Sequence, residues 1–432
     1  MVHFWAGRRL SLAAWVLALA APAPLWGQDV KDVSPQNKSH LNALRDGKEA
    51  ITAADKPILE QAAKFQLHRL TQEKYWRKPP PEGLTIDQML EQDVFKYIPM
   101  PTQQKPLNEN QQKFMEAVAD AFLSPIEEAL HHPEPIVRVN AARILARIAE
   151  SGQEKTAPVL LKVLNEKDQW DAVKFWVFRG FEGLFNASWW NAAVPGNERP
   201  NHRAFKDEAL ENQSIQAIGD YILRKPTLSP NASEEEVKGI QYVRREAIRA
   251  LGVTKLPAII VKKQFIGTPT SLILCKVVAN DGLSPSASLS ERLEAAIGLA
   301  QLQTNLVDNY QPDYAAHIVG NFIVDLANVF NNAGGAAAQG TIRPYPWKLW
   351  ATRLEEGLQA WKEANPKASG PSGEYIASLV DRFTTMIRTL QKAQGLANVN
   401  DLRAWLEKPP PNSSLFKNHP ETNVKPPEPA EK

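Results

Sequence analysis

One twelve-residue pattern recurs along this chain, and it constrains the fold more than any other feature. VRVNAARILARI (137–148) aligns with VRREAIRALGVT (243–254) and with ERLEAAIGLAQL (291–302). Arg138, Arg244 and Arg292 share one column, Ala141, Ala247 and Ala295 a second, and Leu145, Leu251 and Leu299 a third. A degenerate copy puts Lys174, Val177 and Phe181 in the same columns. The spacing suits a unit of about 40 residues with insertions. Within the first copy, Val137, Ala141, Ile144, Leu145 and Ile148 recur at intervals of three and four, which is one face of a helix. The alanine in mid-face lets a neighbouring helix approach closely. Pro133 and Pro135 open the helix sharply, because the N–H that proline lacks has no partner there anyway.

A second apolar helix follows the first copy, APVLLKVLNEKD (157–168), and a related piece, SLILCKVVANDG (271–282), precedes the third arginine copy. With Pro135-x-Val137-Arg138-x-x-Ala141-Ala142-x-x-Leu145, the chain resembles the HEAT-repeat family, whose units pair two antiparallel helices. The resemblance covers roughly residues 107–332, with 110–130 and 315–330 fitting as partner helices. It implies an α-solenoid in which each unit contacts its neighbours and the stack offers a concave surface to a partner. It also implies binding rather than catalysis, as in HEAT-like proteins exported by bacteria.

The flanks read as helical too. Ile58, Leu59, Ala62, Phe65 and Leu70 give an amphipathic helix within 53–77, with Leu67 falling off that face, and further helical patterns lie near 347–364, 373–393 and 398–407. Sustained two-residue alternation is absent, so the expected fold class is all-α: a solenoid of HEAT-like hairpins with helical N- and C-terminal extensions. The expected divisions are a signal peptide (1–27), an N-terminal helical extension with a proline-rich linker (28–106), the repeat solenoid (107–340), a C-terminal helical segment (341–407) and a disordered proline-rich tail (408–432). Seven of the last 25 residues are proline, and few apolar side chains accompany them, which is the basis for the tail. In the linker, Thr85-x-x-Gln88 has the form of a capping box and marks a short helix.

Residues 1–27 carry Arg8 and Arg9, then the apolar run LAAWVLALAA, then PAPLWG, the three parts of a secretory signal. Cleavage is expected between Gly27 and Gln28, giving a periplasmic or secreted protein; the alternative is a membrane anchor formed by the uncleaved signal. The leader holds two arginines and no acid, so the remainder carries equal numbers of basic and acidic side chains. Such a chain has no general attraction for phosphate backbones, which argues against nucleic acid as partner. A single cysteine, Cys275, excludes intrachain disulfides and thiolate clusters, and its apolar setting reads as a buried, inert thiol.

Catalytic motifs are missing. Gly335-x-x-x-x-Gly340 is followed by Thr341 rather than the lysine of a P-loop. Glu127 with His131, and Glu128 with His132, stand four apart on one helix, but two ligands do not make a metal site, and histidines before Pro133 suit a helix C-terminus. No catalytic residue, metal or cofactor is expected. Residues 170–190 are unusually aromatic. Trp170, Phe175, Trp176, Phe178, Phe181 and Phe185 fit inter-repeat packing, while Trp189 and Trp190 lead into a loop rich in turn formers. The expected binding residues are Trp189, Trp190, Asn197, Arg199 and His202. The chain thus reads as a non-enzymatic exported binding or scaffold protein that engages a protein or a cell-envelope polymer. The alternative is a metal-dependent binder or enzyme with a site assembled from isolated His, Asp and Glu residues.

Overall fold

The computed structural model describes residues 30–76, 84–100, 107–190, 205–226, 228, 232–337, 347–391 and 399–424. The signal segment lies outside them. The chain is all-α, with one two-residue hairpin: α1 (Pro35–Arg45), α2 (Lys56–Leu70), α3 (Ile86–Met89), α4 (Glu109–Ala129), α5 (Pro135–Glu150), α6 (Ala157–Asn165), α7 (Asp171–Trp190), α8 (Glu208–Leu223), α9 (Glu234–Gly252), β1 (Ile260–Val261), β2 (Gln264–Phe265), α10 (Thr270–Ala279), α11 (Leu289–Gln301), α12 (Pro312–Ala337), α13 (Trp347–Ala364), α14 (Pro371–Gln391) and α15 (Asn400–Leu406). No described helix is long and apolar enough to cross a membrane.

Helix starts follow capping chemistry. The side chains of Asn108, Ser233 and Ser288 each accept the N–H three residues on, and the residues there, Gln111, Glu236 and Glu291, reach back to the cap backbone. Proline occupies the first turn of α5 and α6, where its missing N–H has no consequence. The Thr85 capping box forms as well.

The helices pack in two rows. In one row α5 lies on α7, α7 on α9, α9 on α11 and α11 on α13; in the other α6 lies on α8, α8 on α10, α10 on α12 and α12 on α14. Pairs α4–α5, α6–α7, α8–α9, α10–α11 and α13–α14 join the rows. Alanine and leucine from the repeat columns (Ala141, Ala247, Ala295; Leu145, Leu251, Leu299) are wholly buried between them. Gly252 and Gly298 let α9 and α11 touch backbone to backbone: a Cβ built on Gly252 would lie 2.8 Å from the Cα of Gly298.

The arginine column bonds outward from each unit. Arg138 lies over the ring of Trp170 at 5.2 Å. Arg244 and Glu291 form a buried ion pair at 2.5 Å. Arg292 donates to the Val278 carbonyl and pairs with Asp325 at 2.7 Å.

Three expectations are corrected. Leu67 belongs to the core, because the buried face of α2 is broad and includes Leu59, Ala62, Ala63, Gln66, Leu67 and Leu70. The described part of the segment expected as a proline-rich linker, 84–100, is packed against the core: Met89, Leu90, Val94 and Ile98 are buried, and Asp93 pairs with Arg69 at 2.6 Å. The tail is likewise ordered over 408–424. Phe416 forms an antiparallel bridge with Tyr310, Gln311 N–H donates to the Leu415 carbonyl, and Lys417 N–H donates to Asn309. Buried Asp313 accepts from the Asn412 backbone at 2.8 Å and from its side-chain amide at 2.9 Å, and the Tyr314 hydroxyl bonds both polar groups of Val424. Leu415, Phe416 and Val424 are buried. Proline keeps this segment from forming helix, but an extended segment can still bury isolated side chains and bond along its backbone.

The hairpin reverses through Lys262 and Lys263, both with positive φ (51° and 66°). Two left-handed residues in a two-residue turn favour Asn-Gly, so lysine at both positions holds strain.

Candidate functional site

The row α5–α7–α9–α11–α13 exposes a face on which arginines stand over buried carboxylates. Glu182 on α7 accepts from Arg179 at 2.9 Å and from Arg249 on α9 at 3.1 Å. Glu246 on α9 is only 2% exposed and is bonded by Arg245 at 2.9 Å and Arg249 at 3.2 Å, with Arg179 at 3.7 Å. Glu294 on α11 receives both terminal nitrogens of Arg353 from α13, at 2.6 and 2.7 Å, and lies 3.8 Å from Arg249. Each carboxylate thus fixes the guanidinium forks of two or more helices.

Burial pushes the Glu182 carboxyl above the ordinary carboxylate range, against the pull of Arg249 and Arg179. Arg353 is held more firmly protonated, chiefly by its bonds to Glu294. The glutamates lie deeper than the arginines, so guanidinium groups form the outer layer of this face.

Aromatic rings continue this face toward the start of α7. Phe175 stacks on Tyr242 with centroids 5.2 Å apart and planes 2° from parallel, and meets Trp176 edge-on at 5.3 Å. Arg143 covers Trp176 at 5.4 Å and Arg245 covers Tyr242 at 4.6 Å. Tyr242 is 51% exposed and Trp170 48%. Fixed guanidinium planes alternating with half-exposed rings suit carboxylate groups and flat or apolar moieties on a partner.

Of the residues expected from sequence to bind, Trp189 and Trp190 end α7 by its backbone, while their side chains lie outside the described residues, as do Asn197, Arg199 and His202. The exposure of Trp170 and Tyr242 and the arginine row were not read from the sequence. The signal available was that Trp170 precedes α7 and that Arg143 and Arg249 share one column of the aligned copies.

The histidine–glutamate pairs of α4 do not converge on a cation. His131 instead bonds the Glu127 carbonyl at 2.7 Å and Glu166 at 2.9 Å, which raise its pKa. Among the described residues no three or more His, Cys, Asp or Glu side chains cluster as metal ligands. Cys275 is wholly buried, and burial pushes its thiol far above the range in which thiolate forms. The chain matches no protein-family model, and a search of curated proteins finds no match.

Proposed function

We propose that this chain is an exported, non-enzymatic binding or scaffold protein, a HEAT-like solenoid whose α5–α7–α9–α11–α13 face docks an acidic segment of a protein or cell-envelope polymer. The observation that carries the reading is the ladder of arginines held by Glu182, Glu246 and Glu294 across four successive helices. A face of this kind is pre-organised: its guanidinium groups are already ordered, so a partner's carboxylates meet them at reduced entropic cost. The two-row packing of paired helices and the buried Ala and Leu columns support the solenoid reading. The loop with Trp189, Trp190, Asn197, Arg199 and His202 is proposed as a second contact region.

Crosslinking in intact cells of the native host, followed by identification of the captured partner, tests this reading. Trp170→Ser with Tyr242→Ser removes two half-exposed rings, so the fold should persist while capture falls at least tenfold. Capture unchanged by that pair but lost in Trp189→Ala with Trp190→Ala would move the site to the loop. N-terminal sequencing of the same material should find Gln28 first; an intact Met1 in a soluble cytoplasmic fraction would end the export proposal.

A further inference from the structure

Lys174 occupies the column that holds Arg138, Arg244 and Arg292 in the other copies, and the residue is 4% exposed, close to Arg244 and more buried than Arg138 and Arg292. Its three counterparts reach a ring, a carboxylate, or a carbonyl with a carboxylate. Lys174 has no hydrogen-bond or ion-pair partner for its ammonium among the described residues. The aligned sequences show why. Arg244 is neutralised by Glu291, the residue just before the arginine of the next copy; for Lys174 the corresponding residue is Val243, apolar and buried. Nearby acids, Asp171, Glu166 and Asp168, favour its charge through space without bonding it, so the ammonium is left with donors to spare.

The ammonium lines a cavity of about 520 Å³ between the end of α6, the first turn of α7 and the last half of α8. That size is typical of pockets for small molecules. Arg224, just past α8, stands at the same cavity with its guanidinium 3.7 Å over the Tyr221 ring, and the Tyr221 hydroxyl is buried without a hydrogen-bond partner among the described residues. Gln213, Gln216 and Asp220 from α8 complete a polar wall. Burial, with the charge of Arg224 nearby, lowers the Lys174 pKa below its ordinary 10.5, against the pull of Asp171, Glu166 and Asp168.

We propose that this cavity binds a small hydroxylated monocarboxylate, its carboxylate shared between Lys174 and Arg224 and its hydroxyls bonded by Gln213, Gln216 and Asp220. A single negative charge is favoured over a dianionic phosphate because Lys167, Lys174 and Arg224 face Glu166 and Asp220 in the lining, an excess of one positive charge that a monoanion neutralises. The Tyr221 hydroxyl supplies a further donor close to the charged end. The site is separate from the arginine face and holds whether or not that face binds a partner.

Isothermal titration of the full chain with sodium glucuronate, and separately with inorganic phosphate, tests the assignment. Saturable glucuronate binding is expected, weakened at least tenfold in Lys174→Met and in Arg224→Gln, with phosphate binding more weakly. Lys174→Met keeps the length of the side chain and removes its charge, so the fold should persist. Should that variant fail to fold, Arg224→Gln, at a side chain one-third exposed, carries the test. No saturable heat with glucuronate, binding untouched by the substitutions, or tighter binding of phosphate would each overturn the proposal.

Discussion

Replacing Phe416 by alanine is the sharpest test of the docked C-terminal segment. Its ring is 1% exposed, meets Phe265 of the hairpin at 4.8 Å and Tyr310 at 5.5 Å, and its backbone bridges Tyr310. Emptying a buried phenylalanine position costs about 3–5 kcal/mol, the removed transfer free energy plus the cavity left behind. Here the loss should spread, because undocking this residue also uncovers Asp313, which takes two hydrogen bonds from Asn412. Urea unfolding followed by circular dichroism and by intrinsic fluorescence would give the change in stability, and limited proteolysis would report cleavage within 408–424. Leu145→Ala, in the wholly buried leucine column, sets the internal scale at about 2–5 kcal/mol. If Phe416→Ala shifts stability by less than about 0.5 kcal/mol, the usual range for surface positions, the segment is not docked in solution and the argument fails.

Glu291→Gln should cost about 3–5 kcal/mol in the same urea assay, because it leaves the buried Arg244 guanidinium without its carboxylate; a loss under 1 kcal/mol would show that water reaches the pair. His317, bonded to the Tyr375 hydroxyl at 2.8 Å, has its pKa lowered below 6.5 by burial. The unfolded chain therefore takes up a proton first, so this residue's contribution is complete above pH 6.5 and is lost as pH falls from there through the folded pKa. Relative to wild type, His317→Gln should then gain stability between pH 6.5 and 5, and parallel melting curves for the two proteins over that range would refute this. Exchanging Lys262-Lys263 for Asn-Gly should raise the melting temperature by relieving two left-handed lysines; a lower melting point would mean that the lysines themselves hold the hairpin.

What was legible in the sequence was whatever repeats locally. The helices of the arginine copies, their partners α4, α6, α10 and α12, and α13 to α15 all declare themselves through apolar residues three and four apart. Ile215, Ile218 and Ile222 of α8 carry the same signal, yet that helix goes unannounced because its neighbours in sequence are turn formers and no copy of it was aligned. The docked segment was unreadable for a different reason: Leu415, Phe416 and Val424 have no period, and their partners lie about a hundred residues earlier. The carboxylate ladder is equally non-local. Glu182 meets Arg249 67 residues away, and Glu294 meets Arg353 59 away, so charge pattern along the chain cannot reveal which side chains converge. Lys174 was visible as the odd member of its column; that it shares a cavity with Arg224 and Tyr221 needed the packing of three helices.

The docking of 412–424 onto 309–314 also sets an order of events during synthesis. Asp313 and Asn412 stand 99 residues apart, so at ribosomal speeds roughly 5–20 s separate the emergence of the acceptor from that of its cover. Until residue 412 arrives, Tyr310, Tyr314 and Asp313 lack the cover that 412–424 gives them. Closing the strap is therefore a late, long-range step of folding: the 309–314 surface is covered only when 412–424 reaches it.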